Sequence, residues 1–262
     1  MAANAAGWVV LTIVTLGLPV DWVLIALGFL LALGFYNRDR LDRTGFAADR
    51  LTMPDRTGWV QDHTARLRTL VRASFMASVL LVALRPATIL PLLAGLGFAL
   101  TYTIRWIPWR GHRLAWKQIP GLKMPFVAIL WTVTTVITPA AVYGQLGRAT
   151  TWLLAGAVCM LVMVQILLND LRDVEGDRQH NIHSIPVIFG DTVARSVGFA
   201  LVLVAVGLMV STNPVPFLLT GGYSGWLVWH YQRQSDQRWR IWIEGQGIFA
   251  GLVALLIQPL RY

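Results

Sequence analysis

The sequence predicts an all-α polytopic membrane protein, a single domain over residues 1–262 built as a bundle of nine transmembrane helices, and three observations carry that prediction. Only 13% of the 262 residues are charged while 56% are apolar. That is about half the charged share of an ordinary soluble domain, too little polar surface to cover a water-soluble globule. The apolar residues fall into blocks that can be tested against the roughly 20 residues a spanning helix needs. Finally, the 22 basic residues are concentrated in alternate loops between those blocks.

Nine blocks cover residues 7–19, 21–37, 69–84, 87–104, 124–143, 150–169, 192–210, 214–231 and 241–259. The first two meet at Leu18-Pro19-Val20-Asp21, where a proline and a carboxylate mark a tight turn between two short or tilted helices. No basic stretch precedes the first block, which argues against a cleaved signal peptide. The single cysteine, Cys159, excludes a disulfide framework and a cysteine-ligated metal, and its place in an apolar run makes it a packing residue.

With nine spans, the N-terminus and the even-numbered loops share one side. Those loops and their flanks hold 19 of the 22 basic residues, leaving Arg85, Arg148 and Arg261 for the other. The positive-inside rule then places the N-terminus and the long loops in the cytoplasm and the C-terminus opposite. Trp8, Trp22, Trp106, Trp109, Trp152, Trp229 and Trp239 lie near span ends, as interfacial anchors do. The net charge of +9 is accordingly read as topology and contact with anionic lipid, not as a nucleic-acid surface.

The acidic residues are few and clustered. One group follows the second span, from Asp39 and Asp42 to Asp49 and Asp55; the other follows the sixth, Asn169-Asp170-Leu171-Arg172-Asp173-Val174-Glu175-Gly176-Asp177-Arg178. On a continuous helix Asp170, Asp173 and Asp177 fall within a sector about 60° wide. Like charges so spaced repel unless cations offset them. A hard divalent ion such as Mg²⁺ would do so; so would a solvated helix end neutralised by Arg172 and Arg178. Asp39, Asp42 and Asp49 share a sector about 80° wide if their helix continues through Gly45.

The segment Asn169-Asp170-x-x-Asp173-x-x-x-Asp177-Arg178, followed by His183-Ser184-Ile185-Pro186-Val187 and Gly190, resembles the second aspartate-rich motif of the UbiA superfamily of intramembrane prenyltransferases. The topology of nine helices with acidic motifs after the second and sixth is similar as well. Tyr102, and Pro120-Gly121-Leu122-Lys123 before the fifth span, resemble a third family stretch. The first motif departs from the family pattern: Arg38 stands at the Asn position with Asn37 before it, and Phe46 stands where the third Asp is expected. Asp49-Arg50-Leu51-Thr52-Met53-Pro54-Asp55-Arg56 fits the motif's tail as though three residues were inserted. Trp106 replaces the family's lysine four residues after Tyr102, with Arg105 the nearest cation.

The resemblance implies a Mg²⁺-dependent prenyltransferase that moves a polyprenyl group from its diphosphate to an aromatic or lipid acceptor. Asp170, Asp173 and Asp177 would be the catalytic carboxylates, holding one ion with support from Asn169, and Asp39, Asp42 and Asp49 would hold a second. Arg56, Arg105, Lys117, Lys123 and Arg178 would neutralise the leaving diphosphate, with Tyr102 donating a hydrogen bond. Phe35, Tyr36, Phe98, Trp131 and Tyr143 are candidate aromatic faces for the allylic cation. Weaker leads are Glu244, His230 at a span end, and Gln165 one turn before Asn169; His180 and His183 read as loop residues. Three other classes compete: a terpene cyclase of the same build, a non-catalytic relative, and a small transporter, which would favour broken helices at mid-membrane over charged helix ends.

Overall fold

The structure is a computed structural model that describes residues 1–41, 54–103, 107–109, 112–114, 119, 121–179, 182–232 and 237–257. Its helices are α1 (Ala2–Thr15), α2 (Trp22–Arg40), α3 (Pro54–Asp62), α4 (Thr64–Leu84), α5 (Ile89–Thr103), α6 (Lys123–Val142), α7 (Ala149–Arg172), α8 (Val174–Gln179), α9 (Ile185–Met209), α10 (Pro214–His230), α11 (Gln237–Glu244) and α12 (Gln246–Ile257). Between α5 and α6 a short antiparallel hairpin pairs Ile107–Trp109 with His112–Leu114. The architecture is helical and that of an integral membrane protein: α2, α4, α6, α7 and α9 are each long and apolar enough to cross a bilayer. The other four predicted blocks are occupied by the shorter helices α1, α5, α10 and α12.

The turn expected at Leu18–Asp21 is there for local reasons. Gly17 takes a left-handed φ of 64°, and the Leu18 and Gly17 amides return to the carbonyls of Ile13 and Val14, closing α1 as a Schellman motif. Asp21 then caps α2 by accepting from the amides of Val23 and Leu24. Within α6, residues Val133–Ile137 form a π-helical stretch just before Pro139, which has no amide hydrogen to donate. The hydroxyls of Thr132, Thr134, Thr135 and Thr138 bond back to carbonyls in this region, so little backbone polarity is left bare in an apolar setting.

Of the five long apolar helices α7 is the most enclosed, 61% of its apolar stretch being buried against 22% for α4. Two core clusters converge on it, one through Leu154, Val158 and Leu161 towards α1 and α12, the other through Leu167, Leu168 and Leu171 towards α9 and α10. The helices packed on α7 are chiefly α9 and α6, and pairwise neighbours run from α4 through α2, α1, α12 and α10 to α9. The closest approach is α1 on α12: a Cβ on Gly7 would lie 2.1 Å from the carbonyl oxygen of Gly247, and one on Gly247 would lie 2.2 Å from that of Asn4.

The same contact corrects one sequence expectation. Trp8, read as an interfacial anchor, is wholly buried, because the missing side chain of Gly247 leaves room for its indole. Trp22, Trp152 and Trp229 are exposed, as anchors should be. The ninth block is also not continuous: α11 ends at Glu244 and α12 starts at Gln246, so Glu244 stands at the end of a separate short helix.

Candidate functional site

Helix α7 ends at Arg172 because the next residue, Asp173, leaves the helical region at φ −93° and ψ 10°. The backbone stays linked across this bend, Asp173 donating to Asn169 O and Asp177 to Asp173 O, and α8 carries Asp177 on. The bend alters the predicted face. Asp170 and Asp177 converge on one cation, Lys123 at the start of α6: its Nζ lies 2.7 Å from Asp170 Oδ1 and 3.6 Å from Asp177 Oδ2. Asp173 is not brought to that cation. It accepts two 2.8 Å hydrogen bonds from the Nε and Nη2 of Arg172, a bidentate pair.

Both converging carboxylates are buried, their side chains 5% and 6% exposed. Burial pushes the Asp177 carboxyl up to about 6, with Lys123 pulling against that shift and Asp170 adding to it. The start of α6 is held by Gly121, whose φ is 75° and whose amide donates to His183 O at 3.2 Å. The loop before α6 is thereby tied to the loop after the acidic segment, which gives His183 a backbone role.

A second polar group surrounds Tyr36 on the last turns of α2. The Arg40 guanidinium lies 4.0 Å over its ring, the charges of Arg56 and Arg172 act on it, and its hydroxyl donates to Glu244 Oε1 at 3.0 Å. Glu244 also faces Arg240 at 3.4 Å. Gln165 does not face the acidic end; it accepts from Asn4 at 3.0 Å in the buried interior. Arg178 is exposed and 3.7 Å from the equally exposed Glu175, a pair worth little in water. Asp39 is exposed on α2. Asp42, Asp49, Arg105, Lys117, His180 and the side chain of Tyr102 lie outside the described residues.

Of the candidate aromatics, Phe98 stacks on Phe126 with centroids 3.8 Å apart, near the start of α6. Phe35 packs edge-on against Phe75. Trp131 packs against the core cluster centred on α7. Tyr143 is bound to Asp21, just beyond the far end of α6 from Lys123. At 1.5 Å per residue those ends are about 30 Å apart.

Sequence reasoning gave Arg40 no site role and treated Arg172 as a neutralising charge, because each is absorbed by the positive-inside pattern. Their signal is structural: Arg40 Nε and Arg172 Nη1 are buried donors without a hydrogen-bond partner. Asn169 Oδ1 and Asp177 Oδ2 are buried acceptors in the same condition. No group of three or more His, Cys, Asp or Glu residues is close enough to hold a metal among the described residues. The two carboxylates Asp170 and Asp177, the latter with an orphaned Oδ2, nevertheless fit Mg²⁺, which commonly takes one or two carboxylates and completes its shell with phosphate oxygens and water.

Comparison with known proteins places the chain. Residues 47–244 match the model of the UbiA prenyltransferase family. The digeranylgeranylglyceryl phosphate synthase of Natronomonas pharaonis is 33% identical over 111 residues, 42% of this chain and 37% of that protein. The digeranylgeranylglyceryl phosphate synthase of Haloquadratum walsbyi is 29% identical over 96 residues, 34% of this chain and 31% of that protein. The matched stretches thus span about a third of the length of these curated relatives. Among solved structures, a UbiA homolog from Aeropyrum pernix K1 in its apo form aligns with a TM-score of 0.64 at 16% identity, covering 98% of this chain and 95% of that one. A structure described as digeranylgeranylglyceryl phosphate synthase in membranes aligns at 0.56 and 12% identity, covering 97% and 92%. At these identities the structural likeness is one of fold.

Proposed function

Since the chain belongs to the UbiA prenyltransferase family, we propose that it is a Mg²⁺-dependent intramembrane prenyltransferase that transfers a polyprenyl group from its diphosphate to a lipid acceptor. The observation that carries this reading is the convergence of two buried carboxylates, Asp170 and Asp177, on one cation at the end of α7. Similarity to two digeranylgeranylglyceryl phosphate synthases favours a prenylated glycerol phosphate over an aromatic ring as acceptor. In this reading residues 1–262 form one domain with nine crossings, the N-terminus and both acidic loops are cytoplasmic, and the C-terminus is on the opposite side.

In the reaction the allylic C–O bond breaks with its electron pair leaving on the diphosphate. The acceptor's nucleophile forms the new bond to that carbon and gives up a proton. Bound Mg²⁺ would neutralise diphosphate oxygens that carboxylates alone would repel. Asp170 and Asp177, with Asn169, hold the ion side; Asp173 orients Arg172; and Asp39, Asp42 and Asp49 are the candidate second set. Lys123, Arg56, Arg105, Lys117 and Arg178 are the candidate diphosphate contacts, with Tyr102 as donor, stabilising charge as it develops on the leaving group. Phe98, stacked on Phe126, offers an aromatic face near the head of α6 and helps keep water from the cation.

The test incubates purified protein with labelled prenyl diphosphates of several lengths, Mg²⁺, and either a prenylated glycerol phosphate or an aromatic acceptor. Transfer to the glycerol phosphate, abolished by chelation and by Asp170→Asn, is the expected result. Diphosphate release with no transfer would mark a cyclase, and no turnover of any diphosphate would mark a non-catalytic relative.

A further inference from the structure

Arg172 engages only part of its guanidinium with Asp173. Its Nε and Nη2 donate to that carboxylate, while Nη1 is a buried donor without a hydrogen-bond partner on a side chain only 12% exposed. Arg40 repeats the condition from another helix: its guanidinium lies 4.0 Å over the Tyr36 ring, and its Nε is likewise buried without a hydrogen-bond partner. The two belong to one neighbourhood, since the charges of both act on Tyr36. The carboxylate there, Glu244, is already engaged, accepting from the Tyr36 hydroxyl at 3.0 Å and facing Arg240 at 3.4 Å. A buried guanidinium N–H left without an acceptor is costly, and an anion with several oxygens can answer donors on two side chains at once.

Resting on the transferase reading above, we infer that Arg40 and Arg172 seat the phosphate monoester of the acceptor beside Tyr36, apart from the carboxylates that serve the prenyl diphosphate. The bend at Asp173 makes the separation: Asp170 and Asp177 face Lys123, whereas Asp173 holds Arg172, which interacts with Tyr36 and Tyr231 instead. A diphosphate meets carboxylates only through a bridging cation. A monoester dianion on guanidinium donors needs none, and the planar fork of arginine suits its oxygens. Two anionic headgroups held by different cations do not compete for one seat, and the acceptor binds whether or not a metal is present. The Tyr36 ring contributes by holding the Arg40 guanidinium in place. Free phosphate and the headgroup of an anionic lipid share this chemistry, and the test separates them from the acceptor.

The experiment uses the full chain in nanodiscs of zwitterionic lipid. In prenyl transfer, Arg40→Met raises the KM for the prenylated glycerol phosphate about tenfold or more. Its kcat at saturating acceptor and its KM for the prenyl diphosphate each stay within about twofold of the parent. An unchanged acceptor KM, or an equal rise in both KM values, overturns the seat. A binding readout on the parent keeps the test decisive should the variant fail to fold. With chelator present and no prenyl diphosphate, glycerol phosphate raises the parent's thermal midpoint by about 2 °C or more, exceeding the effect of inorganic phosphate at the same concentration, and Arg40→Met removes most of that rise. No rise, a rise that inorganic phosphate matches, or one lost when the nanodiscs contain anionic phospholipid overturns the assignment to the acceptor. Failure of the parent to transfer to the glycerol phosphate while the stabilisation holds overturns the transferase reading and leaves the phosphate seat standing.

Discussion

Arg85 donates its Nε–H to Asp21 Oδ2 across 2.9 Å, joining the turn before α2 to the end of α4. Tyr143, just past α6, donates to the same oxygen at 3.0 Å, while Asp21 Oδ1 caps α2. One buried carboxylate thus ties three helix ends at the pole of the bundle opposite Lys123. Arg85 falls in the third predicted loop, and Asp21 and Tyr143 are the terminal residues of the predicted blocks that border the first and fifth, the side that the charge count leaves poor in basic residues.

This knot has a pH signature. Burial alone would raise the Asp21 carboxyl, but the bonds from Arg85, Tyr143 and the Leu24 amide outweigh it and hold the pKa below the usual carboxylate value. A group depressed in the folded state stabilises fully above its unfolded pKa, and the contribution is lost as pH falls through the folded value. Asp21→Asn keeps a helix cap but loses the ion pair. Its thermal midpoint in detergent should be lower than the parent's by a constant few degrees between pH 5 and 8, the gap closing below about pH 4. A gap that stays constant down to pH 3 would show that the ionised carboxylate contributes nothing.

The glycine contact between α1 and α12 gives a sharper steric prediction. Added Cβ atoms at Gly7 or Gly247 meet backbone oxygens, at 2.1 and 2.2 Å, and no rotamer change relieves a backbone clash. Gly247→Ala should cost about 1–3 kcal/mol in unfolding measurements. At Gly222 in α10 a Cβ would meet nothing within 4 Å; Gly222→Ala should be neutral or add up to about 1 kcal/mol, since alanine is the better helix former. If both variants unfold alike, the close approach of α1 and α12 is not as described.

Much of the fold is legible in the sequence because a bilayer imposes length and apolarity on whatever crosses it: the blocks at 69–84 and 150–169 lie within long helices, and those at 21–37 and 124–143 overrun theirs by one residue. The site is less legible, for a definable reason. Placing Asp170, Asp173 and Asp177 on one face assumes an unbroken helix, and α7 breaks at Asp173. Pairings between helices, such as Lys123 with Asp170 or Tyr143 with Asp21, depend on helix rotation, which a wide apolar surface leaves undetermined. Trp8 was misread because its role depends on the size of Gly247, a residue 239 positions away. The Tyr36, Arg40 and Arg172 grouping was hidden because its cations also serve topology.

Buried amides link α1 to α7 and α12. Asn4 Nδ2 donates to Gln165 Oε1 at 3.0 Å, and the Gly247 amide donates to Asn4 Oδ1. Both Asn4 and Gln165 are buried, so Asn4→Leu leaves two groups without partners. A double-mutant cycle between Asn4→Leu and Gln165→Leu should return a coupling of about 1 kcal/mol, in the range for polar contacts between membrane helices. Additive effects would mean that the bond does not contribute.

The bend at Asp173 separates two kinds of acidic residue that look alike in the motif. Asp170 and Asp177 face Lys123 and in the proposed reading would hold the ion, so Asp170→Asn and Asp177→Asn should lower prenyl transfer about 100-fold or more with a modest effect on stability. Asp173 faces Arg172, whose side chain is only 12% exposed. Removing the carboxylate leaves an uncompensated, largely buried guanidinium, which typically costs about 3–5 kcal/mol. Asp173→Asn should therefore unfold at a clearly lower temperature than Asp170→Asn, and replacing both partners, Arg172→Met with Asp173→Leu, should recover part of that loss because no unpaired charge remains. Activity of the double variant then reports what Arg172 contributes beyond stability: transfer restored with the thermal midpoint would make the pair structural, whereas a stable but inactive double variant would put the Arg172 guanidinium on a substrate's phosphate. Equal stability of Asp170→Asn and Asp173→Asn would contradict the different partners that the two carboxylates have in the structure.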